Sequence, residues 1–158
     1  MAEHLPINTG PLIALARSEA LGIAGALPFE FICPREVEAE LAAGAVPEHP
    51  WTTPGWLTVL ALQHALDPVA IASLDVGEAA VIQLAREIGA RRVCMDERKG
   101  RRVARAVGLE VVGTLGLLLL AKRRGQIPAV RPFIERLQAT GTWYHPALVA
   151  RVLAAAGE

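Results

Sequence analysis

The sequence predicts an α/β fold, a three-layer α/β/α sandwich in which helices cover both faces of a parallel sheet. The chain has 158 residues, which suits one domain spanning residues 1–158 with a substantial core. It is 53% hydrophobic and only 4% aromatic, a composition typical of helices rich in Ala and Leu packed on a sheet. Apolar segments of strand length alternate with helical segments, and this alternation favours parallel strands.

Five apolar segments have strand character, and helical segments separate or follow them. The predicted strands are residues 5–7, 29–33, 57–62, 92–95 and 110–112. Prolines and glycines mark the helix limits, because Pro suits a first turn and Gly a C-terminus. The predicted helices are residues 12–17, 18–27, 34–43, 75–88, 98–107, 115–124, 130–140 and 146–156, with a short turn beginning at residue 67.

Nothing in the sequence predicts a membrane span, an exported protein or a zinc site. The longest apolar run, residues 111–121, has about half of the ~20 residues that a span needs. The N-terminal residues lack an apolar signal core. Cys33 and Cys94 fall near the ends of predicted strands, where free cysteines pack as small hydrophobic residues. We therefore expect a cytoplasmic protein.

The formal net charge of zero conceals an uneven distribution. Residues 1–80 contain two basic and ten acidic residues, whereas residues 81–158 contain fourteen basic and six acidic ones. Such asymmetry indicates an anion-binding face beside an acidic cluster. A simpler interpretation is that the opposite charges hold the two halves of the chain, or two subunits, together.

Residues 91–116 form the segment most informative about function. A strand ends in the acidic pair Asp96-Glu97, and a strongly basic helix begins one residue later. In open α/β sheets, phosphate groups bind at such a strand end beside a helix N-terminus. Helical spacing of three and four places the arginines on one cationic stripe, for which we predict phosphate contacts. The basic residues of this helix are Arg98, Lys99, Arg101, Arg102 and Arg105.

Polar residues follow three of the predicted strands, at the edge where the carboxyl ends of parallel strands meet. Asn8-Thr9 follows the first strand, Asp96-Glu97 the fourth, and Gly113-Thr114 the fifth. Two further acids, Glu40 and Glu78, lie on predicted helices that can direct them to the same edge.

These motifs, in this order, resemble those of PIN-domain proteins, the nuclease superfamily that includes toxins of the VapC type. The closest resemblance is to a branch of predicted PIN-like nucleic-acid-binding proteins. It spans nearly the whole chain and is most specific in the fourth of five segments. These are NTGPLIALA (8–16), CPREVEAEL (33–41), LDVGEAAVIQLA (74–85), MDERKGRRVARAVGLEVVGTLGLLLLAKRRGQIP (95–128) and TWYHPALVARVL (142–153).

The resemblance implies a five-stranded parallel sheet in the order 3-2-1-4-5 and hydrolysis of RNA phosphodiesters with Mg²⁺ or Mn²⁺. The metal-binding acids would be Glu40, Glu78 and Asp96, with Glu97 as an auxiliary, because hard divalent cations prefer oxygen ligands. Thr9 and Thr114 would supply nearby hydroxyl contacts. The resemblance also implies a homodimer and, for a toxin, an antitoxin protein as partner.

One position departs from the family pattern. PIN proteins normally carry Asp at the end of the first strand, within D-[TS]-[SG]-P-L, and this chain has Asn8. An amide oxygen can bind a metal ion but brings no charge, so the site would bind divalent cations more weakly. An alternative function follows: a PIN-like module that binds RNA or a partner protein without cleaving.

Each candidate residue also has a purely structural interpretation. Asp75 and Glu78 match a capping box, and Asp96 can cap the basic helix. Glu40 can be a solvated residue on a charged helix face, and Thr114 the N-cap of the next helix. Asn8 can hold its turn through side-chain hydrogen bonds to the backbone.

Three other classes of protein lack their motifs in this sequence. Neither serine lies in G-x-S-x-G, which disfavours a serine hydrolase. No glycine-rich phosphate loop of a nucleotide-cofactor enzyme is present. A receiver-type phosphorelay domain would need acids after strands one and three, where the chain has Asn8 and Leu62-Gln63.

Overall fold

A computed structural model describes residues 2–158 as an α/β fold with parallel strands. The first three strands form one ladder in the order β1-β2-β3, and the remaining two form a second ladder. Every strand pair in both ladders is parallel. The strands are β1 (Glu3–Pro6), β2 (Phe29–Pro34), β3 (Leu57–Leu60), β4 (Arg92–Cys94) and β5 (Glu110–Val112).

A single parallel bridge, between Ile7 and Cys94, joins the two ladders. The Asn8 N–H donates to the Cys94 carbonyl at 2.9 Å, while the Ile7 N–H points the other way, to Ile32 of β2. Because backbone N–H groups alternate in direction along a strand, the amide that would next face β4 belongs to Pro6, which has no N–H. The strand pairing therefore forms two ladders, of three and two strands, that meet at this bridge.

The helices follow the predicted order, with ends displaced by a few residues. The predicted helix at 18–27 shortens to Leu21–Gly25, because Glu19 adopts a left-handed conformation (φ 61°) after the first helix. None of the helices in residues 2–158 has the length and apolarity that crossing a membrane requires. They are α1 (Thr9–Arg17), α2 (Leu21–Gly25), α3 (Arg35–Ala43), α4 (Pro68–Ser73), α5 (Val76–Glu87), α6 (Arg98–Ala106), α7 (Thr114–Arg123), α8 (Arg131–Ala139) and α9 (Pro146–Ala155).

Helix α5 packs against strands of both ladders, contacting β1, β2 and β4. Its buried face consists mainly of small and branched apolar residues, so the helix can approach the strands closely. Cys33 and Cys94 are buried free thiols in the same core, as predicted. Trp56, from the loop before β3, packs edge-to-face on Phe31 with ring centroids 5.2 Å apart, so this loop covers part of the core.

Candidate functional site

The carboxyl ends of β1, β4 and β5 place the polar residues of the predicted edge close together. The hydrogen bond from Asn8 N–H to Cys94 fixes the end of β1 beside the end of β4. Asp96 lies two residues beyond that bond, and Thr114 follows β5, the neighbour of β4. Three loops thus bring one side chain each to the same edge.

Asp96 is held by Thr114 through both of its carboxylate oxygens. The Thr114 N–H donates to Oδ1 at 2.8 Å, and the Thr114 hydroxyl donates to Oδ2 at 2.6 Å. A Cβ on Gly113 would lie 2.9 Å from Oδ1, so glycine is required for this approach. Asp96 therefore caps α7, and the prediction that it caps its own basic helix is wrong. The N-cap of that helix is the exposed Glu97, whose side chain makes no capping bond, and Thr114 is the first residue of α7 rather than its N-cap.

Glu40 joins the turn after β1 to the start of α5. Its carboxylate accepts the Thr9 hydroxyl at 2.6 Å and the Gly77 N–H at 3.0 Å. A Cβ at residue 77 would lie 2.6 Å from Glu40 Oε1, so only glycine fits there without moving the carboxylate. The prediction that Glu40 is merely solvated is wrong, because both of its oxygens have partners.

Glu78 is a buried acid between α5 and the start of α6. Its side chain is packed against Gly100, where a Cβ would lie 3.2 Å from Glu78 Cδ. Burial raises the pKa of Glu78, and the negative charges of Asp75 and Glu97 raise it further. The Asp75 carboxylate accepts the Glu78 N–H at 2.8 Å, which confirms the predicted N-cap of α5. Among the described residues, the Glu78 carboxylate forms no hydrogen bond back to Asp75, so only one half of the predicted capping box is present.

Asn8 carries a buried side-chain oxygen for which the described residues provide no hydrogen-bond partner. The residue occupies the N-cap position of α1 but makes no capping bond. The prediction that its side chain holds the turn is therefore wrong. An unpartnered buried carbonyl oxygen is unfavourable, and it is free to bind a cation.

The three acids do not form one cluster, and each of them has a different partner. Glu40 lies with Thr9, Glu78 with the start of α6, and Asp96 with Thr114. Within residues 2–158, no group of three or more His, Cys, Asp or Glu side chains is close enough to hold a metal ion.

The basic helix α6 divides into one inward arginine and four exposed cations. Arg101 is half-buried and donates to the Met95 carbonyl at 3.0 Å. Burial and the neighbouring charge of Arg105 lower its pKa. In the part of the chain that the structure describes, the exposed residues form no ion pair with an acid; they are Arg98, Lys99, Arg102 and Arg105.

Tyr144 is a residue of this region that sequence reasoning did not select. Its hydroxyl is buried without a hydrogen-bond partner among the described residues. Burial raises its pKa, and the negative charge of Asp96 raises it further, which places the phenol near the candidate site. The available signal was its position in the last of the five resembling segments, TWYHPALVARVL.

Comparison with protein families supports the resemblance seen in the sequence. Among curated proteins, none matches the chain. The model of one family, DUF3368, described as a PIN domain, matches residues 6–158. That match covers almost the whole chain, and the chain therefore belongs to this family of PIN domains.

Proposed function

We propose that the chain is a divalent-metal-dependent ribonuclease that binds RNA through α6 and cleaves it at the carboxyl ends of β1 and β4. The PIN domain is in general a nuclease fold. The observation that supports this site most directly is the unpartnered buried oxygen of Asn8 beside the strand end that presents Asp96. We also infer that the two ladders correspond to one sheet in the order 3-2-1-4-5, continuous through the Ile7–Cys94 bridge.

The donor atoms at this edge suit a hard cation such as Mg²⁺ or Mn²⁺. They are all oxygens, and one of them, on Asn8, lacks a partner in the described chain. Proteins commonly bind Mg²⁺ through only one or two carboxylates, with water and substrate phosphates completing the shell. In this proposal Asp96 and Asn8 are the central ligands, and Glu78, Glu40 and Glu97 lie around them.

In the proposed reaction, the residues of this chain would have different roles that follow from their charge and position. Thr114 orients the Asp96 carboxylate, and Thr9 orients Glu40. A bound divalent cation supplies an activated water and stabilises negative charge on the transferring phosphate. The exposed cations of α6 bind the RNA backbone, because one guanidinium group can bind two phosphate oxygens at once.

A second candidate is a module that binds RNA or a partner protein without cleaving. The neutral Asn8 favours it, since the site has one carboxylate fewer than the family pattern D-[TS]-[SG]-P-L. The separation of the remaining acids favours it as well.

A cleavage assay separates the two candidates. Purified protein is incubated with end-labelled single-stranded RNA in MgCl₂, MnCl₂ or EDTA. We expect cleavage that requires a metal ion and that falls roughly 10²–10³-fold in Asp96→Asn, the loss typical when one charged group at a transition state is removed. Asp67→Asn is the matched control, because Asp67 caps the distant helix α4 and an Asn retains that cap.

Each alternative result has a defined meaning. Binding without cleavage in both metal ions would support the second candidate. Metal-dependent cleavage that persists in Asp96→Asn would place the active site elsewhere. Failure to bind RNA at low salt would contradict both.

The proposal includes two protein partners, a second copy of the chain and an antitoxin. Light scattering tests the first, because a monomer has a mass of 16.8 kDa and a homodimer twice that value. Copurification with a neighbouring gene product that inhibits cleavage tests the second.

A further inference from the structure

The segment between α8 and α9 presents an aromatic surface that the proposed ribonuclease site does not use. Trp143 is 74% exposed. Its ring is supported by His145 at an edge-to-face angle of 76°, with centroids 6.0 Å apart. His145 is itself fixed, because its Nδ1 accepts the Ala147 N–H at 3.0 Å and so caps α9. The indole thus contacts a ring that is itself fixed, while most of its own surface remains accessible.

Helix α9 follows this segment and packs on α7, the helix that begins beside Asp96. The Lys122 ammonium contacts the Ala156 carbonyl and the Glu158 carboxylate, so the carboxyl ends of the two helices meet. The two helices also pack together. Helix α7 begins at Thr114, the residue that holds Asp96. The influence of Asp96 on the pKa of Tyr144 agrees with this placement.

A cavity of about 600 Å³ opens next to the indole. Its walls are mainly apolar and aromatic, with the exposed amide of Gln138 at one side. A flat heterocycle with a polar edge matches such a lining, since its faces stack on rings while its edge bonds an amide. The principal lining residues are Gln138, Trp143, Tyr144, Pro146, Val149 and Leu153.

We propose that this cavity binds a nucleobase of single-stranded RNA, with Trp143 as the stacking surface and Gln138 as the contact to the base edge. The inference rests on the proposed RNA substrate and adds that the strand must be unpaired here. Bases within a duplex are stacked on each other and cannot enter a side pocket. Aromatic stacking on Trp143 tolerates any base, so it selects single strands, and any preference for one base comes from Gln138.

The experiment measures the anisotropy of a fluorescently labelled single-stranded RNA in EDTA, which prevents cleavage. We expect Trp143→Ala to raise the Kd roughly tenfold, the loss typical of one stacked base, and Trp143→Phe to restore most of the affinity. A strand of equal length with consecutive abasic positions should bind the wild type and Trp143→Ala alike. Val69→Ala is the control, because Val69 is 76% exposed on α4, a helix that takes no part in the site.

The outcomes distinguish this inference from the proposed function. If Trp143→Ala binds as tightly as the wild type while the double variant Arg102→Ala/Arg105→Ala binds weakly, the nucleobase site is refuted and RNA binding stands. Equal binding of a fully paired duplex by the wild type would also refute it. If the wild type binds no RNA at all, both proposals fail.

Discussion

At the scale of single residues, Asn8 combines a backbone that forms its hydrogen bonds with a side-chain oxygen that does not. Its backbone is fully used, since its N–H forms the hydrogen bond that joins the two ladders. Its side-chain oxygen is buried and has no partner within residues 2–158. A residue selected only for its turn would bond that oxygen to a nearby N–H, as Asn commonly does. In the proposed site, this oxygen binds the cation.

Substitution of Asn8 by Asp should couple stability to divalent cations. In EDTA, a buried carboxylate at residue 8 adds a second negative charge beside Asp96, so we expect Asn8→Asp to lower the Tm by several degrees, corresponding to roughly 1–3 kcal/mol. Millimolar MgCl₂ should restore that loss and raise the Tm more than it does in the wild type. Thermal melting followed by circular dichroism measures both effects, and identical responses of the two proteins to MgCl₂ would exclude metal binding at this oxygen.

Glu78 should make stability depend on pH. Because its pKa is raised in the folded state, the folded protein keeps this proton over a pH range in which the unfolded chain has lost it. The free energy of unfolding therefore falls as pH rises from the ordinary Glu pKa through the raised value, and it stays lower above that value. We expect Glu78→Gln to match the wild type at about pH 4 and to be more stable at about pH 8.

Urea unfolding at both pH values measures this difference. Glu48→Gln, on the exposed loop after α3, is the control and should leave the pH dependence unchanged. A Glu78→Gln protein that gains no stability at the higher pH would show that the buried carboxylate carries no electrostatic penalty.

At the scale of secondary-structure elements, the short helix α2 depends on a close contact with Trp56. A Cβ on Gly25 would lie 2.3 Å from the indole ring, which is itself packed on Phe31. In contrast, a Cβ on Gly22 of the same helix would meet no atom within 4 Å. The two glycines of this five-residue helix therefore have different roles.

Alanine at each glycine tests this difference. We expect Gly25→Ala to destabilise the protein by about 1–3 kcal/mol, because the indole and its neighbours must move. Gly22→Ala should change stability by less than about 1 kcal/mol, and in the stabilising direction, since Ala favours helix. Urea unfolding gives both values, and equal effects would contradict the packing of Trp56 against α2.

At the scale of the whole molecule, the uneven charge distribution has more than a cohesive role. Only two ion pairs in the described chain join the acidic half to the basic half through arginine, Arg92–Glu3 and Arg136–Glu19. The exposed cations of α6 take part in neither. The basic half is therefore largely free to attract an external anion.

RNA binding should therefore weaken steeply with salt. If the four exposed cations of α6 contact phosphates of a single strand, the Kd should rise roughly fiftyfold between about 50 and 200 mM KCl. The double variant Arg102→Ala/Arg105→Ala should bind more weakly and lower the slope of log Kd against log [KCl] by about 1.4. The matched control is Arg123→Ala/Arg124→Ala, which removes the same charge from the far end of α7. Equal slopes in all three proteins would show that α6 does not bind the strand.

Much of this architecture was accessible from the sequence, because strands, helices and the acidic turn at Asp96 follow from local patterns. The side-chain partners were not, because they depend on residues far apart in the chain. Gly77 holds Glu40 from 37 positions away. Arg101 has the same helical spacing as its exposed neighbours, yet it alone reaches the Met95 carbonyl. Spacing shows which residues share a helix face, and it does not show which of them finds a buried acceptor.

Because a single bridge joins the ladders, the distance between β1 and β4 at the candidate site depends on packing in the core. Pro6 cannot donate a second hydrogen bond between β1 and β4. The gap between these strands is therefore set mainly by α5, which packs against both of them. The buried side chains of that helix limit how closely it approaches. Each added methyl group there would move Asn8 relative to Asp96 without altering a single polar atom. In the proposed site, the reach of Asn8 and Asp96 toward one cation would therefore depend on volume behind the sheet edge as well as on the residues at that edge.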